Sequence, residues 1–200
     1  YTPGVCSQAV HIALSEIGAD FTLEKVDLAT KTTESGEDFS KINPLGYVPA
    51  LELDGGDVLL EAPAILQYLA DMKPESKLAP AAGTMERVKL QQHLNFTASE
   101  LHKSFGPFFA AVKPEGAARD QAMTKLQRRF DALEALLADG RDYAMGETFT
   151  VADTYMFVVA SWSGIIGLDL APWPNVQKFV ARVAARPRVQ DVLKREGLLN

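Results

Sequence analysis

Cys6 is the only cysteine in the chain, and its position is the first feature that suggests chemistry. It follows Pro3 and Gly4 and directly precedes a segment from Ser7 whose apolar residues have helical spacing. We therefore expect the sulfur at a helix N-terminus, where unpaired amide groups and the helix dipole favour an anion and lower a thiol pKa. A lone cysteine is more often a small buried apolar side chain, so both a catalytic and a structural thiol remain open.

The Val48–Pro49 pair is the second candidate. Val48 precedes a proline and is therefore expected to be extended. If the peptide bond to Pro49 is cis, the N–H and C=O of Val48 point outward and can pair with the backbone of a peptide ligand. A trans bond within a turn is the commoner arrangement, and the residue types do not decide between them.

Glu61 and Ala62 form a third candidate, because Pro63 marks the start of a predicted helix. A carboxylate at this position is often there only to complement the helix dipole. The same helix end can instead receive a ligand carboxylate on the N–H of Ala62 while Glu61 faces a ligand ammonium group. Such a pairing suits the zwitterionic end of an amino acid.

A polar stripe on the helix predicted from Met85 is the fourth candidate. Gln91, Asn95 and His102 follow one another at offsets of four and seven, which predicts a common face, and Lys103 is adjacent. This face is either the solvated side of the helix or one wall of a cleft. The cysteine and histidines lack metal-ligand spacing, so no metal is predicted, and neither a phosphate-binding glycine loop nor a nucleophile-elbow serine motif is present.

The elements that position these residues divide into two groups. Residues 1–80 carry a net charge of −8 and alternate short apolar runs with turns, whereas residues 81–200 carry +2 and have long helical periodicity. Two prolines and a glycine interrupt the pattern between Lys73 and Gly83. This predicts a mixed α/β domain at residues 1–77 followed by an all-α domain at residues 84–200.

Periodicity and turn residues predict the individual elements. In the first domain the sequence predicts a helix, a strand, two strands around the Asp54-Gly55-Gly56-Asp57 turn and a second helix, with a leading strand that is very short or missing a few residues. In the first domain the predicted helices are 7–17, closed by Gly18, and 63–70, and the predicted strands are 21–28, 48–53 and 58–60. In the second domain the predicted helices are 85–105, 118–137, 150–166 and a segment from 174 that stops at Arg186-Pro187. A capping box at Thr150 and Asp153 opens the helix at 150–166.

Composition excludes several classes of protein. With 200 residues, 47% hydrophobic and 23% charged, the chain is an ordinary globular sequence that can bury a core without disulfides. A net charge of −6 argues against nucleic acid and anionic membranes as partners. The single cysteine fits a reducing compartment, and neither a signal peptide nor a membrane span is evident, which predicts a cytoplasmic protein.

Taken together, the sequence resembles the bacterial beta-class glutathione transferases along essentially its whole length. The resemblance is carried by short motifs that occur in the family's order at compatible spacings. They are Thr2-Pro3-Gly4-Val5-Cys6-Ser7, His11-Ile12-Ala13-Leu14, Asp27-Leu28-Ala29-Thr30-Lys31, Asn43-Pro44 with Gly46 and Val48-Pro49-Ala50-Leu51, Glu61 with Pro63-Ala64-Ile65, Ser99-Glu100-Leu101-His102-Lys103, Val151-Ala152-Asp153 and Glu196-Gly197-Leu198.

The resemblance implies a thioredoxin-like N-terminal domain, an all-helical C-terminal domain and a homodimer that binds glutathione as co-substrate. Matched residue by residue, it implies that Cys6 lies beside the glutathione sulfur and can form a mixed disulfide with it, with His102 as the second catalytic residue. The glutathione-binding positions implied by the same match are Lys31, Val48, a cis Pro49, Glu61, Ala62, Asn95 reaching across the dimer, and Lys103.

Two further expectations concern the co-substrate surface and departures from the family. Aromatic residues of the helical domain are expected to line the site for a hydrophobic electrophile, namely Phe105, Phe108, Phe109 and Trp162. Many relatives have Ser or Thr where Ala62 stands, so one hydrogen bond worth about 0.5–1.5 kcal/mol is absent and weaker glutathione binding is expected. The short N-terminus is the other departure.

Three functions therefore remain open from the sequence. The first is transfer of glutathione to small hydrophobic electrophiles such as haloaromatics. The second is glutathione-dependent thiol–disulfide exchange or reductive dehalogenation through Cys6. The third is a non-catalytic binding module on the same fold, since a fold does not fix a function; the joint presence of Cys6, Glu61 and His102 weighs against it.

Overall fold

A computed structural model describes residues 1–199, and its first helix matches the sequence prediction. Helix α1 spans Ser7–Ile17 and buries its apolar residues together with His11. Gly18 ends the helix in the left-handed conformation, with φ of 64°, which glycine adopts without a Cβ clash. The predicted limits of this helix are confirmed.

The strands form two separate antiparallel pairs, and the strand at residues 58–60 has its predicted length whereas the other two predicted strands are shorter than expected. Strand β1 (Val26–Asp27) pairs with β2 (Thr32–Thr33), and β3 (Ala50–Glu52) pairs with β4 (Val58–Leu60) in a register that places Leu51 opposite Leu59. The hairpin around the predicted turn is confirmed. A groove of about 630 Å³ is lined by residues of both pairs and of α1.

The predicted strand over residues 21–28 is wrong except at β1. Here the neighbouring backbone is that of Tyr1, whose amino group donates to the carbonyl of Glu24 and whose carbonyl accepts from the N–H of Val26. These two bonds have the alternating pattern of parallel strands, but they involve a single residue of the neighbouring segment. A ladder needs paired backbone along its length, so the remaining residues stay irregular.

Helix α2 spans Ala62–Met72 and begins with a proline in its first turn, as the sequence predicts. It buries Ile65, Leu66 and Leu69, and it packs against α1. Glu61, the residue directly before it, has a positive φ of 66°.

Hydrogen bonds to the residues on both sides hold the linker predicted between the two groups of elements. Leu78 is buried, and its carbonyl accepts a hydrogen bond from the N–H of Val151. Arg87 is buried as well; its guanidinium forms a bidentate pair with Asp71 and also donates to the carbonyl of Pro80 over 2.8 Å. The domain boundaries at residues 77 and 84 stay a prediction.

The continuous helix predicted over residues 85–105 is wrong, because three segments occupy this stretch. Helix α3 spans Met85–Phe96, a π-helical segment spans Thr97–Leu101, and helix α4 spans His102–Phe109. A π-helix has i→i+5 bonds and winds less per residue than an α-helix. The common face expected for Asn95 and His102 therefore does not continue across the π segment.

Side-chain hydroxyls accompany this change in winding. Thr97 donates to the carbonyl of His93 over 2.9 Å, and Ser99 donates to the carbonyl of Asn95 over 2.8 Å. Hydroxyl groups that bond to the preceding turn share its carbonyl acceptors with the backbone and often bend a helix. The spacing of apolar residues in the sequence does not reveal this change in winding.

The rest of the helical part surrounds one buried helix. Helix α6 (Val151–Ile165) is buried on almost all sides and opens with the predicted capping box. It packs against α1 and against α7 (Pro174–Ala184), while α5 (Gly116–Leu137) packs against α4 and α7. The predicted stop at Arg186-Pro187 is followed by another helix, α8 (Pro187–Arg195), because proline is well suited to a first turn.

One apolar core runs through both parts of the chain. Residues of α1, α2 and α6 belong to the same buried cluster, so the α/β part and the helical part are packed directly on each other. None of the helices in residues 1–199 is long and apolar enough to cross a lipid bilayer.

Candidate functional site

Cys6 and His102 meet where the two parts of the chain touch. Cys6 occupies the N-cap position of α1, as predicted, and is partly buried. His102 is the first residue of α4. The Cys6 Sγ lies 3.6 Å from His102 Nδ1 and 3.8 Å from Nε2, so residues 96 positions apart in the sequence are in contact.

The electrostatics at Cys6 correct the sequence expectation of a lowered thiol pKa. Burial raises the pKa of Cys6 to about 11, because a thiolate loses its hydration in this position. Hydrogen bonding from its own backbone and from Tyr155, together with the positive charge of Lys103, opposes the rise without reversing it. The helix N-terminus is present, but desolvation outweighs it.

His102 is held in an aromatic environment. Its Nδ1 lies 3.0 Å from the hydroxyl oxygen of Tyr155, and its ring meets that of Trp162 edge-on at 4.9 Å between centroids. Burial lowers the pKa of His102 to about 4, and the charge of Lys103 acts in the same direction. The imidazole is therefore neutral at neutral pH.

Tyr155 is the site residue that sequence analysis missed. It lies on α6 and is 3% exposed, and its hydroxyl lies 3.0 Å from His102 Nδ1, the atom that also contacts Cys6 Sγ. A local signal existed: a tyrosine within a helix predicted to be buried needs a hydrogen-bond partner for its hydroxyl. The sequence could not identify that partner.

The loop that carries Cys6 is fixed through the two backbone groups of Gly4. Its N–H donates to Glu196 Oε2 over 2.9 Å, and its carbonyl accepts from the indole N–H of Trp162 over 2.8 Å. Glu196 is buried and also accepts from the side chains of Gln8 and His11, each over 2.9 Å. Sequence analysis identified no partner for His11, because Glu196 follows it by 185 residues.

The peptide bond between Val48 and Pro49 is cis. Val48 is buried, and no hydrogen bond of residues 1–199 outside the regular elements involves its N–H or C=O. The nearby loop is held by Asn43, whose side-chain amide donates to the carbonyl of Tyr47 over 2.6 Å. The cis form that the sequence left undecided is thus the one present.

Glu61 and Ala62 stand at the N-terminus of α2 as predicted. The N–H of Ala62 belongs to the first turn of the helix and has no acceptor within it. The carboxylate of Glu61 accepts a hydrogen bond from the Tyr47 hydroxyl over 2.9 Å, and this bond raises the pKa of Tyr47. Tyr47, 42% exposed, is a second contact that the sequence did not reveal.

The remaining predicted glutathione-binding residues lie in different surroundings. Lys31 has φ of 58°, and its ammonium donates to the carbonyl of Gly46 over 2.7 Å. Lys103 is exposed beside His102, close enough for its charge to act on the Cys6 thiol. Asn95 is exposed near the end of α3 and is not brought to Cys6.

The four aromatic residues predicted to line a hydrophobic site differ in exposure. Phe105 is fully buried, and Phe108 and Trp162 are nearly so, whereas Phe109 is 46% exposed. Phe109 is stacked on Phe105 at 6.0 Å and meets Trp162 edge-on at 5.5 Å. Of the four, only Phe109 presents a broad exposed surface, and its ring is stacked on the buried Phe105.

Within residues 1–199, no three His, Cys, Asp or Glu side chains are grouped to hold a metal ion.

Comparison with family models matches both parts of the chain. Residues 4–72 match the model described as "Glutathione S-transferase, N-terminal domain", and residues 96–187 match "Glutathione S-transferase, C-terminal domain". Among curated proteins, the chain is 42% identical over 198 residues to "Glutathione S-transferase GstA" of Escherichia coli O157:H7, an alignment that covers 99% of this chain and 98% of the relative.

Solved structures give the same result. A structure titled "Bacterial beta class Sphingomonas chungbukensis Glutathione S-transferase" is 46% identical with a TM-score of 0.95, covering 100% of this chain and 98% of the other. A sphingomonad glutathione S-transferase "complexed with glutathione" is 47% identical with a TM-score of 0.94, covering 99% and 98%.

Proposed function

The chain belongs to the glutathione S-transferase family, in its beta class, and on that premise we propose that it joins the thiol of glutathione to small hydrophobic electrophiles. The observation that carries the proposal is the contact between Cys6 and His102, 3.6 Å apart, at the junction of the two parts of the chain. A glutathione sulfur placed beside Cys6 there has the α/β part on one side and the helical part on the other.

The tripeptide would be held by local hydrogen-bond donors and one carboxylate. Glutathione is anionic and residues 1–80 carry a net charge of −8, so long-range attraction cannot bring it to the site. Glu61 faces the γ-glutamyl ammonium and the Ala62 N–H faces its carboxylate, while the backbone of Val48 pairs with the cysteinyl unit. Lys31 and Lys103 supply positive charge toward the glycyl end and the sulfur.

The transfer step needs a glutathione thiolate and an electrophile above it. The sulfur forms a bond to the electrophilic carbon, the bond from that carbon to its leaving group breaks, and the thiol proton passes to solvent. The contribution of the protein is to hold the sulfur and the carbon in a reactive geometry and to stabilise the thiolate with fixed donors. Phe109, exposed over Phe105 and Trp162, offers the apolar surface for the electrophile.

A second activity, thiol–disulfide exchange, is supported by the partial exposure of the free Cys6. In this reaction the Cys6 thiolate attacks oxidised glutathione, a new disulfide joins Cys6 to one glutathionyl unit, and the other leaves as a thiolate that takes up a proton. The Cys6→Ala variant separates the two activities. Conjugation on bound glutathione is expected to persist, whereas exchange with a glutathione mixed disulfide is expected to disappear.

We also propose a homodimer, because α2 and α3 carry exposed apolar side chains side by side. Tyr68 and Met72 on α2 and Met85 and Val88 on α3 are between 37% and 64% exposed. Asn95 lies on the same exposed side of α3 as Met85 and Val88, since positions 85, 88, 92 and 95 follow one another at offsets of three, four and three. This place on α3 is compatible with a contact between Asn95 and the partner subunit.

A cytoplasmic location of the protein stays a prediction and rests on the single unpaired cysteine.

The decisive experiment combines binding and chemistry. The wild-type protein is expected to be retained on immobilised glutathione, to be eluted by free glutathione and to conjugate a chloronitrobenzene. Mass spectrometry after incubation with oxidised glutathione then tests the mixed disulfide, with Cys6→Ala as the control. A protein that neither binds glutathione nor conjugates the chloronitrobenzene is instead a binding module on this fold.

A further inference from the structure

Tyr47 stands on a loop whose backbone is fixed directly around it. The carbonyl of Tyr47 accepts from the side-chain amide of the buried Asn43 over 2.6 Å. The carbonyl of Gly46, the residue before it, accepts from the Lys31 ammonium over 2.7 Å. Val48, the residue after it, is buried. The phenol ring of Tyr47, which is 42% exposed, therefore leaves the surface from a defined place.

The hydroxyl of Tyr47 reaches the N-terminus of α2, where it donates to Glu61 Oε1 over 2.9 Å. The backbone of Glu61 is fixed as well, because α2 packs into the core through Ile65 and Leu66. Glu61 has φ of 66°, which is uncommon for a residue with a side chain. The bond thus joins two exposed side chains whose backbones are both held, and only the carboxylate itself is free to rotate.

The charge of the Glu61 carboxylate has no partner of opposite sign among residues 1–199. None of their Lys, Arg or His side chains forms a salt bridge with it. Burial has the largest effect on the pKa values of Cys6 and His102, but the negative charge of Glu61 raises both, so the carboxylate is close to the centre of the site. An ionised carboxylate offers about four lone-pair positions, of which the Tyr47 hydroxyl uses one. The others remain for the N–H donors of an ammonium group.

We propose that Tyr47 is a positioning residue for the amine of glutathione: its hydroxyl holds the Glu61 carboxylate in the orientation that receives the γ-glutamyl ammonium group. An exposed glutamate otherwise samples several rotamers, and fixing one of them on binding costs conformational entropy. With the hydroxyl bond in place, much of this freedom is lost before the ligand binds. The inference rests on the function proposed above, because the amine is that of glutathione.

The effect of Tyr47 should depend on the ligand amine, and calorimetry with two ligands tests this. S-Methylglutathione carries the ammonium group and has no thiol that could exchange with Cys6. Its deamino analogue has a glutaryl group in place of the γ-glutamyl group and therefore lacks the ammonium. Tyr47→Phe removes the hydroxyl and keeps the ring.

Tyr47→Phe is expected to bind S-methylglutathione about fivefold more weakly than wild type, as for one side chain that is no longer held before binding. The affinity for the deamino analogue should not change, because that ligand makes no ion pair with Glu61. In the conjugation reaction the loss should appear in KM for glutathione and not in kcat.

Tyr143→Phe is the matched control. It removes the same atom, a hydroxyl that accepts from Arg186 over 3.3 Å, and should bind both ligands as wild type does. If Tyr47→Phe weakens both ligands by the same factor, the hydroxyl acts on another part of the ligand or on the fold, and the proposal is overturned. Binding of S-methylglutathione that is unchanged or tighter also overturns it, because the hydroxyl is then idle or competes with the ammonium group.

A titration without ligand tests the bond itself. The hydrogen bond to Glu61 raises the pKa of Tyr47, so the ¹³C signal of this ring should titrate at a higher pH than a free tyrosine. Glu61→Gln should lower the pKa of Tyr47, and an equal pKa in the two proteins overturns the inference. If wild type binds neither ligand, the proposed function is refuted together with this inference. If wild type binds both ligands and Tyr47→Phe binds them equally well, only this inference is refuted.

Discussion

The indole N–H of Trp162 donates to the backbone carbonyl of Gly4 over 2.8 Å, two residues before the thiol of Cys6. The ring of the same tryptophan meets His102 edge-on. One side chain of α6 thus fixes both the loop that carries the sulfur and the imidazole that faces it. The relative position of Cys6 and His102 depends on this contact between the two parts of the chain.

Replacing Trp162 by Phe tests that dependence. The variant keeps an aromatic ring against His102 but loses the bond to Gly4, so we expect about 1 kcal/mol less free energy of unfolding and a lower kcat/KM for conjugation. Trp173→Phe is the control, since it loses an indole bond of 2.7 Å to Asp131 away from the site. Equal kcat/KM in the two variants would show that the Gly4 bond does not position the thiol.

The unliganded protein should be slow to alkylate at Cys6. Burial raises the pKa of this thiol to about 11 from an ordinary value of 9.0, so the thiolate fraction at pH 8 is about a hundredfold below that of a free thiol. The rate should rise about tenfold per pH unit through pH 8–10, because the thiolate is the reactive form. A rate above that of glutathione itself at pH 7.5 would mean that desolvation does not dominate at this position.

Glu61→Gln should weaken glutathione binding about tenfold by calorimetry, because the variant removes the charge opposite the γ-glutamyl ammonium. The hydroxyl of Tyr47 can still donate to the amide oxygen, so the local structure should persist. Glu52→Gln, which neutralises an exposed carboxylate on β3, is the control and should bind as wild type does. Equal affinity in both variants would exclude Glu61 from the binding site.

The proposed dimer makes a prediction about molecular mass in solution. The double variant Met85→Glu and Val88→Glu places two like charges on the exposed apolar stripe of α3 and should sediment as a monomer where wild type sediments as a dimer. The control is the double variant Val112→Glu and Ile165→Glu, at positions that are 87% and 68% exposed on other parts of the surface. If both double variants sediment as dimers, the interface lies on another surface.

The capping box of α6 should matter more for stability than an ordinary cap. Asp153 is fully buried and accepts from the N–H of Ala144 and from the N–H and hydroxyl of Thr150, at 2.7–2.8 Å. Asp153→Ala should cost about 2–3 kcal/mol of unfolding free energy in a denaturant titration, against about 1 kcal/mol for Thr150→Ala. Asp169→Ala, in an exposed turn, should change it little, and a similarly small loss for Asp153→Ala would mean that the box is not formed.

Much of this molecule could be predicted from local sequence. Apolar spacing and Gly18 determine α1, the capping box determines the start of α6, and Asp54 to Asp57 determine the β3–β4 hairpin. These features depend on residues within a few positions of one another, where backbone geometry and side-chain type act directly. The motifs around Cys6, Val48 and Glu61 indicated the family in the same way.

The tertiary structure decided what lies around those motifs. Tyr155 follows Cys6 by 149 positions, and no motif in the sequence relates Glu196 to Gly4. Only the packing of α6 and of the C-terminal segment on α1 brings these residues together. The sign of the Cys6 pKa shift was decided in the same way. A helix N-terminus is visible in sequence, but the loss of hydration that outweighs it is a property of the assembled core.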